Sequence, residues 1–420
     1  MNTLFSDYDL IILTMSRWDD EYSSTIYSLA KEWAQRQRVF YIDHPFTIKD
    51  ILTHPVHPAI KHRLPAWIRG GQARYSHPKG LPPNFVAITS PPVLPINFLS
   101  AGDTFERLSR FNDSLLFATI LKTIKDFNIQ KYLFINSFDP FFGRTLPSEF
   151  HPDLYIYQST DAISQEPYVA RHGVRLENEM VANADLTLCT SQELTRQKSQ
   201  FSAHTHLLPN AADIGLFRRA LDQNLPVPTD LRPLTDRPIV IYTGNLTAMR
   251  FDFPLMTAAA QYHTDKHFVC IGPYLLDEAR NLAALPNVHF LGPKNIDLLP
   301  AYLQHANCAV IPFKINTLTQ SIYPLKINEY LAAGKPVVTT CFSDDIKQFE
   351  HIAHVCNNTQ EFVRQIDQAL LHDTNQDRQA RLNFAEANGW PQRAQLFWEI
   401  ITPYLTAKLT KSTQPATVAV

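Results

Sequence analysis

The chain has 420 residues, more than one hydrophobic core usually serves, which predicts two domains of roughly 200 residues each. Its 45% hydrophobic and 19% charged residues are typical of a soluble globular protein. The formal net charge of −2 excludes a general attraction to nucleic acid.

The chain shows neither a secretory signal nor a membrane span. Asp7 and Asp9 stand where a secretory signal would be positively charged, and no run reaches the roughly 18 apolar residues of a membrane span. The five cysteines form no CxxC pair, and the five histidines between His44 and His77 show neither HxH nor HExxH spacing. We therefore expect a cytoplasmic protein with reduced thiols and no protein-bound metal ion.

The chain opens with a β-α-β pattern. Asp9–Thr14 is a strand, a helix is predicted from about Ser23 to Arg36, and Arg38–Ile42 is a second strand. Without a GxGxxG fingerprint, a nicotinamide or flavin oxidoreductase is disfavoured. Asp19 follows the first strand, at the sheet edge where open α/β sheets bind ligands. It is a candidate for orienting or deprotonating a substrate hydroxyl, although a solvated turn explains it equally well.

Residues from His44 to Pro95 are rich in proline, histidine and arginine. Long helices are disfavoured at this density of proline, so we expect extended excursions over the face of the first domain. A mobile, basic loop beside a substrate is the functional alternative.

A second candidate carboxylate follows further along the chain. Phe105–Phe127 is predicted as an amphipathic helix, and Lys131–Asn136 and Leu154–Gln158 as strands. The last of these ends in Ser-Thr-Asp, which places Asp161 at the tip of a strand. A helix cap or a solvated side chain is the plain alternative to a role at a substrate hydroxyl.

The sequence becomes rich in proline within residues 214–238. Four prolines interrupt regular structure there, namely Pro226, Pro228, Pro233 and Pro238. We interpret this segment as a linker between an N-terminal domain, residues 1–213, and a C-terminal domain, residues 239–390.

The second domain begins with a pattern that can bind an anion. Ile239–Thr243 is a buried strand, Gly244 and Asn245 turn the chain, and Asp252 caps a new helix. Backbone N–H groups at such a turn and helix N-terminus attract phosphate. Arg250 is the nearest basic residue, and a solvated loop arginine explains it equally well.

The stretch Tyr323–Thr340, YPLKINEYLAAGKPVVTT, carries the strongest signal. Pro324 can open a helix, Gly334 can end it, and a strand follows. Lys326 and Glu329 are three residues apart and therefore share a helix face. The pair suits a nucleotide diphosphate, because an ammonium meets phosphate and a carboxylate accepts from ribose hydroxyls. From the spacing alone, a surface salt bridge on an amphipathic helix is the favoured explanation.

This stretch resembles the donor-binding signature of GT-B glycosyltransferases. The similarity is to the retaining family 4 group and its branch in teichuronic acid and cell-surface polysaccharide synthesis. It implies Lys326 at the donor diphosphate and Glu329 at the ribose. The fuller family pattern has an earlier Glu that touches the donor sugar, and Ser321 stands at that position. Several members of the branch resemble this sequence in lacking that Glu.

The resemblance covers the second domain and three short phrases of the first. It implies an α/β GT-B fold, with two Rossmann-like parallel-sheet domains facing each other across a cleft. It also implies a helix at residues 391–409 that crosses back to the first domain, and residues 410–420 are expected to be a loose tail.

The implied function is sugar transfer from a UDP- or GDP-linked sugar to a glycan or lipid-linked acceptor in cell-surface polysaccharide synthesis. A retaining, metal-independent mechanism with no cofactor beyond the donor is implied, and peripheral contact with the inner face of the membrane stays open. Two alternatives remain: a nucleotide-sugar epimerase on the same scaffold, and a non-catalytic subunit that binds nucleotide sugar, which Ser321 favours.

Overall fold

Two compact units make up the chain. The computed structural model describes residues 7–20, 24–165 and 167–413. The first unit comprises Met1–Thr190, Leu194–Leu208 and Ala394–Val420, and the second comprises Ser191–Glu193 and Pro209–Arg393. Each unit contains its own mainly parallel sheet with helices, so the predicted α/β class is confirmed.

The sheet of the first unit has eight strands in the described part of the chain, in the order β3-β4-β2-β1-β5-β6-β7-β8. Its pairings are parallel except that of β3 with β4. The strands are β1 Asp9–Thr14, β2 Val39–Asp43, β3 Tyr75–Ser76, β4 Phe85–Ile88, β5 Tyr132–Ser137, β6 Leu154–Ser159, β7 Leu186–Cys189 and β8 Thr205–Leu207.

Helix α1, Thr25–Trp33, buries one face that includes Ile26, Leu29 and Trp33. In α1 the side chain of Ser24 accepts a hydrogen bond from the Tyr27 N–H, which caps the helix. The described residues before residue 200 form six α-helices: α1 Thr25–Trp33, α2 Ile48–Thr53, α3 Pro58–Arg69, α4 Asp103–Asp126, α5 Pro167–Asn183 and α6 Gln192–Lys198. The predicted start of the first helix at Ser23 lies outside the described residues.

The sheet of the second unit has six described strands in the order β11-β10-β9-β12-β13-β14, all paired in parallel. They are β9 Ile239–Thr243, β10 His267–Ile271, β11 Val288–Gly292, β12 Cys308–Ile311, β13 Val337–Thr340 and β14 His354–Cys356. The strands β9, β10, β12 and β13 are buried along their whole length, as their continuous apolar runs require.

Helices alternate with these strands along the chain, as right-handed parallel crossovers require. They are α7 Ile214–Asp222, α8 Phe253–Tyr262, α9 Leu276–Ala283, α10 Leu299–His305, α11 Thr317–Gln320, α12 Leu325–Ala332, α13 Asp344–Lys347, α14 Thr359–Leu371 and α15 Asn375–Ala387. The predicted helix, glycine stop and strand of the signature stretch are confirmed: α12 ends before Gly334, which has a φ of +68°, and β13 follows.

Two sequence expectations differ from the structure. Helices α2 and α3 occupy part of the segment that was expected to be extended, and that expectation is wrong. Pro58 lies at the first turn of α3, where its missing N–H costs nothing, and Pro65 lies on the exposed side of the helix. In the predicted linker, α7 places Phe217 and Ala220 in the core of the second unit, so its first part is a packed helix.

The last helix, α16, spans Trp390–Thr413. Its residues from Ala394 onward belong to the first unit, where the Phe397 ring lies 4.5 Å from that of Trp33. Residues 410–413, expected in the tail, are helical, and residues 414–420 lie outside the described part of the chain. No helix among the described residues is long and apolar enough to cross a membrane.

The substitution Phe397→Ala tests whether α16 stabilises the first unit. Phe397 is fully buried, so the change leaves a cavity beside Trp33 and is expected to lower the free energy of unfolding by about 3–5 kcal/mol. Denaturant unfolding followed by tryptophan fluorescence measures this, since Trp18, Trp33, Trp67 and Trp398 belong to the first unit. Leu409→Ala, at a 40% exposed position of the same helix, is the control and should change stability by less than about 0.5 kcal/mol. Equal losses in both variants would contradict the proposed packing role.

Candidate active site

Helix α12 is attached to the end of strand β9 by a buried tyrosine. The Tyr330 hydroxyl accepts a hydrogen bond from the Thr243 N–H at 2.8 Å, and lies 3.1 Å from the Thr243 hydroxyl. Tyr330 is fully buried. Residues four apart share a helix face, so the attachment of Tyr330 also positions Lys326, one turn earlier, beside the residue that follows Thr243.

That following residue is Gly244, and the side chain of Lys326 lies over it. A Cβ atom added at Gly244 would lie 2.9 Å from Lys326 Cε and 3.1 Å from its Nζ. The same Nζ lies 5.6 Å from the centre of the Tyr242 ring and 5.2 Å from that of Phe313, so two aromatic faces attract the ammonium. The absence of a side chain at Gly244 is therefore what makes room for the lysine.

The turn at Gly244 also crosses the neighbouring turn at Gly272. A Cβ at Gly272 would lie 1.9 Å from the Gly244 carbonyl oxygen, and both glycines have positive φ, +136° and +145°. The Gly244 N–H donates to the Ile271 carbonyl at 2.8 Å. The sequence interpretation gave backbone N–H groups near Gly244 a role in holding an anion, but the amide of Gly244 itself is already bonded.

At the N-terminus of α8, which the sequence predicted as an anion site, a backbone N–H is likewise already bonded. The Asp252 side chain accepts a hydrogen bond from the Leu255 N–H at 2.9 Å at the start of α8. Between Gly244 and this helix, the chain runs beside the segment after β12, with Phe251 bridged to Phe313 and the Lys314 N–H donating to the Arg250 carbonyl at 2.8 Å. The positive charge of the site therefore comes mainly from side chains.

Lys326, Glu329 and Arg250 form a group of part-buried charges. None of their charged atoms has a hydrogen-bond or ion-pair partner within 4 Å among the described residues, so Lys326 and Glu329 are not the simple salt bridge that their spacing allows. Burial lowers the pKa of Lys326, with Glu329 opposing the shift and Arg250 adding to it. Burial raises the pKa of Glu329 to about 7 against the effect of Lys326. Charges that are desolvated without a partner are typical of sites that await a ligand.

Two predicted donor residues remain, Asn245 directly after Gly244 and Ser321 shortly before α12. Asn245 is exposed, and its carbonyl accepts a hydrogen bond from the Tyr242 hydroxyl at 3.1 Å. Ser321 follows α11 and is buried, and its hydroxyl donates to the Thr317 carbonyl at 3.3 Å. Ser321 therefore has a structural partner already.

This cluster lies at the topological switch point of the second sheet. Strand order runs outward from β9 through β10 and β11 in one direction, and from β12 through β13 and β14 in the other. Gly244 follows β9 and Phe313 follows β12. Ligands of open α/β sheets bind at the carboxyl ends of the strands at such a point.

The carboxyl ends of the strands in the first unit carry a second polar cluster, centred on Arg63. This buried guanidinium donates to both oxygens of Asp19, at 2.7 and 3.0 Å, and also contacts Asp43. Burial raises the pKa of Asp19, but the bonds from Arg63 outweigh it, and the net shift is downward. Asp19 is thus held ionised by an arginine, which makes it a weak base.

A histidine and a buried carboxylate also lie at this edge of the sheet. His44 directly follows β2, and its Nδ1 lies 2.7 Å from Oδ2 of Asp139, which follows β5 and is fully buried. The other Asp139 oxygen accepts from the Phe141 N–H at 3.1 Å, and Phe138 has a φ of +60°. A carboxylate that accepts from Nδ1–H leaves Nε2 free to accept a proton or a hydrogen bond. Strained backbone next to such a pair is common at functional sites.

Asp161 lies two residues beyond the end of β6 and is part-buried. Because β5 lies between β1 and β6, the two predicted carboxylates Asp161 and Asp19 follow strands that are not neighbours. His44 and Asp139 follow the two strands that flank β1. The structure therefore brings together a pair that the sequence did not single out.

Comparison with known proteins identifies the second unit. Residues 237–372 match the family model described as "Glycosyl transferases group 1". This part of the chain is therefore similar to group 1 glycosyl transferases.

A Bacillus subtilis (strain 168) relative supports the same assignment. Its name describes it as a candidate teichuronic acid biosynthesis glycosyltransferase, TuaH, and it is 27% identical over 176 residues. The match covers 39% of this chain and 42% of the relative, so the chain matches less than half of the relative's length.

Solved structures extend the comparison of fold to the whole chain. Sucrose-phosphate synthase from Thermosynechococcus elongatus has a TM-score of 0.63 at 16% identity, covering 95% of this chain and 100% of that one. An E. coli trehalose-6-phosphate structure bound with UDP-2-fluoro glucose has a TM-score of 0.65 at 11% identity, covering 93% and 98%. The predicted GT-B fold is confirmed.

Sequence reasoning missed the partners that position the charges of the second unit. The sequence analysis did not single out Tyr330, Tyr242 or Phe313, although Tyr330 lies one turn after Lys326 and could have been placed on its face. His44 was considered only for metal spacing. Its position directly after a strand, at the edge where ligands bind, was the available signal.

Glu329→Gln tests the unusual environment of this carboxyl. Because the folded pKa, about 7, lies above the ordinary 4.5, the native state retains a proton that the unfolded state has lost between these values. Wild-type stability should therefore fall relative to the variant as pH rises from 5 to 8, by up to about 3 kcal/mol at 1.36 kcal/mol per pKa unit. Urea unfolding at both pH values measures the difference. Glu350→Gln, at an exposed carboxyl of the same unit, is the control, and an equal pH response in both variants would refute the prediction.

Proposed function

We propose that the protein is a glycosyltransferase that moves a sugar from a UDP- or GDP-linked sugar to a glycan or lipid-linked acceptor in cell-surface polysaccharide synthesis. The observation that carries the proposal concerns two cations in the part of the chain that is similar to group 1 glycosyl transferases. Lys326 lies over Gly244 at the switch point, Arg250 acts on its charge, and neither has an ion-pair partner among the described residues. The Bacillus subtilis relative supports the polysaccharide context.

The donor is assigned to the second unit. Lys326 meets the diphosphate, whose negative charge grows as the bond to the anomeric carbon breaks, and a preoriented ammonium stabilises that charge. Arg250 lies near enough to shift the pKa of Lys326 and adds a second positive charge. Glu329 accepts hydrogen bonds from the ribose hydroxyls. Gly244 leaves room for the lysine, and exposed Asn245 borders the same turn.

The sugar itself is the least supported part of the donor assignment. Ser321 replaces the family Glu that touches the sugar, and its hydroxyl is bonded to Thr317. We propose that Ser321 gives the sugar more room at this position and takes no part in charge stabilisation. The transfer is proposed to be retaining and to need no protein-bound metal ion.

The acceptor is assigned to the first unit. His44, held by Asp139, accepts a hydrogen bond from the acceptor hydroxyl at Nε2 and thereby orients and polarises it. In a retaining transfer, the hydroxyl oxygen bonds to the anomeric carbon and its proton leaves on the departing phosphate oxygen. Asp19, bonded to Arg63, is proposed to shape the acceptor side electrostatically, and Asp161 remains a candidate contact to an acceptor hydroxyl.

Thermal shift and turnover assays test the proposed reaction. UDP-, GDP- and ADP-sugars are added with and without magnesium, and one at 100 times its Kd should stabilise the fold by about 2.7 kcal/mol. Release of nucleoside diphosphate should then require an acceptor extract, and NMR of the product should show the donor's anomeric configuration. Isomerisation of the donor without acceptor would indicate an epimerase, and binding without turnover would indicate a non-catalytic subunit.

Substitutions in α12 test the donor site. Glu329→Ala is expected to weaken nucleotide-sugar binding by about 1.5–3 kcal/mol, the range for hydrogen bonds to a charged group, and Lys326→Ala should act in the same direction. Isothermal titration calorimetry with the sugar nucleotide selected by thermal shift gives the affinity. Lys347→Ala removes an exposed lysine of the same unit and should leave it unchanged. Unchanged affinity in a folded Glu329→Ala protein would remove Glu329 from the site.

His44→Ala tests the acceptor side. Loss of a group that handles the acceptor hydroxyl should lower kcat on the order of 100-fold, with the donor Kd unchanged because the donor binds the second unit. Asp139→Asn should lower kcat less, since the ring remains but loses its ionised partner. His151→Ala, at an exposed histidine of the first unit, serves as the control. A donor Kd that rises with an unchanged kcat would argue against this role.

A further inference from the structure

A buried arginine lies at the start of α16, outside the groups assigned to donor and acceptor. Arg393 is 8% exposed and is the last residue of the second unit. Its Nε donates a hydrogen bond to the Asn210 carbonyl at 3.4 Å, and its Nη2 donates one to Oδ1 of Asn388. Both partners are uncharged oxygen atoms, which offset the cost of burying a cation less than a carboxylate does. The arginine is therefore a candidate for a role beyond stability.

The hydroxyl of Tyr323 is a third group that Arg393 meets. Burial lowers the pKa of Arg393, and Tyr323 opposes this shift through an electrostatic attraction and a hydrogen bond between the side chains. Burial also raises the pKa of Tyr323, while Asn328 and Arg393 oppose that shift. Tyr323 is 2% exposed, so bulk water does not compete for this contact.

Tyr323 is fixed both at its backbone and at its ring. Its carbonyl accepts a hydrogen bond from Nδ2 of Asn210 at 3.0 Å, and its hydroxyl accepts one from Nδ2 of Asn328 at 3.2 Å. Asn328 belongs to α12 and is fully buried. Arg393 bonds to the Asn210 carbonyl and meets the Tyr323 hydroxyl, so it contacts both ends of this arrangement.

Tyr323 lies two residues before the start of α12. Pro324 is the N-cap residue of this helix, and no side-chain hydrogen bond caps it. Lys326 is the second residue of α12 and Glu329 the fifth. A helix without a cap of its own depends on other contacts to fix its first turn. The hydrogen bonds of Tyr323 supply such contacts at this end, as those of Tyr330 do further along the helix.

Arg393 also lies where two segments of the second unit pack closely. Ala212 forms a parallel β-bridge with Gly389, and the Arg393 N–H donates to the Gly389 carbonyl at 3.1 Å. A Cβ at Gly389 would lie 3.0 Å from Cγ1 of Ile214, so the two segments have little room to move. The guanidinium therefore reaches Tyr323 from a closely packed part of the unit.

We propose that Arg393 is a positioning residue of the donor site, which holds Tyr323 and thereby fixes the start of α12, the helix that carries Lys326 and Glu329. The inference rests on the proposed function, which assigns the nucleotide to these two side chains. A purely structural role is a poorer explanation, because an apolar side chain of similar length would fill the same space without burying a charge.

Calorimetric titration of the full chain with UDP and with GDP tests the proposal. Arg393→Met keeps much of the side-chain length and removes every hydrogen bond of the guanidinium. It should weaken binding of the nucleotide that the wild type prefers by about tenfold, since α12 loses a contact that fixes its start. Arg393→Lys keeps a cationic donor near Tyr323 and should recover part of this loss. A Kd of Arg393→Met equal to that of the wild type would overturn the proposal.

Asn287→Ala is the matched control for lost stability. Asn287 is buried, and its Nδ2 donates to the Ala260, His263 and Lys266 carbonyls of the same unit. This variant loses buried hydrogen bonds, as Arg393→Met does, but none of them reaches α12. Urea unfolding measures both losses of stability, and the control should bind the nucleotide as the wild type does. An equal loss of affinity in the control would refute a positioning role.

Tyr323→Phe tests whether Arg393 acts through the tyrosine. Loss of the hydroxyl should weaken nucleotide binding by about threefold. The double variant with Arg393→Met should bind no more weakly than Arg393→Met alone, because both changes remove the same contact. Strictly additive losses of affinity would show that the two residues act independently, contrary to the proposal. Tyr323→Phe keeps the buried ring and provides the test on its own if Arg393→Met does not fold.

Amide hydrogen exchange without ligand separates this inference from the proposed reaction. Arg393→Met should raise the exchange rates of residues 325–332 more than Asn287→Ala does, since α12 is held less firmly. Unchanged exchange of α12 in a folded Arg393→Met protein would overturn the inference. A wild type that binds neither UDP nor GDP would instead overturn the assigned donor, and the exchange rates would still decide whether Arg393 holds this helix.

Discussion

The hydrogen bonds between Tyr330 and Thr243 are the constraint on which the second unit's site depends. They join helix α12 to the last residue of β9, and one turn of helix then fixes where Lys326 can lie. Since Gly244 follows Thr243 directly, the same attachment determines the distance between the lysine and the turn. A shift of this helix along the strand would separate the ammonium from the edge of the sheet where a ligand's phosphate groups would approach.

Without a ligand, the buried charges of this site lower the free energy of unfolding. Burial opposes the charged forms of both Lys326 and Glu329, and two aromatic rings compensate the lysine only in part. Such an arrangement persists when the surrounding structure fixes it, as Tyr330 does here. In the first unit, His44 and Asp139 lie just after the ends of strands and Arg63 lies in α3, and ion pairs and backbone bonds hold these side chains.

The sequence predicted elements well where local chemistry decides them. The helix start at Pro324, its stop at Gly334 and the run Val337-Val338 each act within a few residues, and the structure confirms them. Contacts between distant residues were not predictable. Nothing in the spacing of His44 and Asp139 indicates that their strands flank β1, and the ion pair of Arg63 with Asp19 depends on a helix that its prolines argued against.

The crossing of Gly244 and Gly272 has a consequence for how this protein could change its ligand. A Cβ at Gly272 would lie only 1.9 Å from the Gly244 carbonyl oxygen, and a Cβ at Gly244 would lie 2.9 Å from Lys326 Cε, so a side chain at either glycine would force a neighbouring group to move. Substitutions that change ligand preference are therefore disfavoured at the backbone closest to Lys326. They are easier at exposed neighbouring residues such as Asn245, and homologues that differ in ligand preference should diverge there while both glycines stay unchanged.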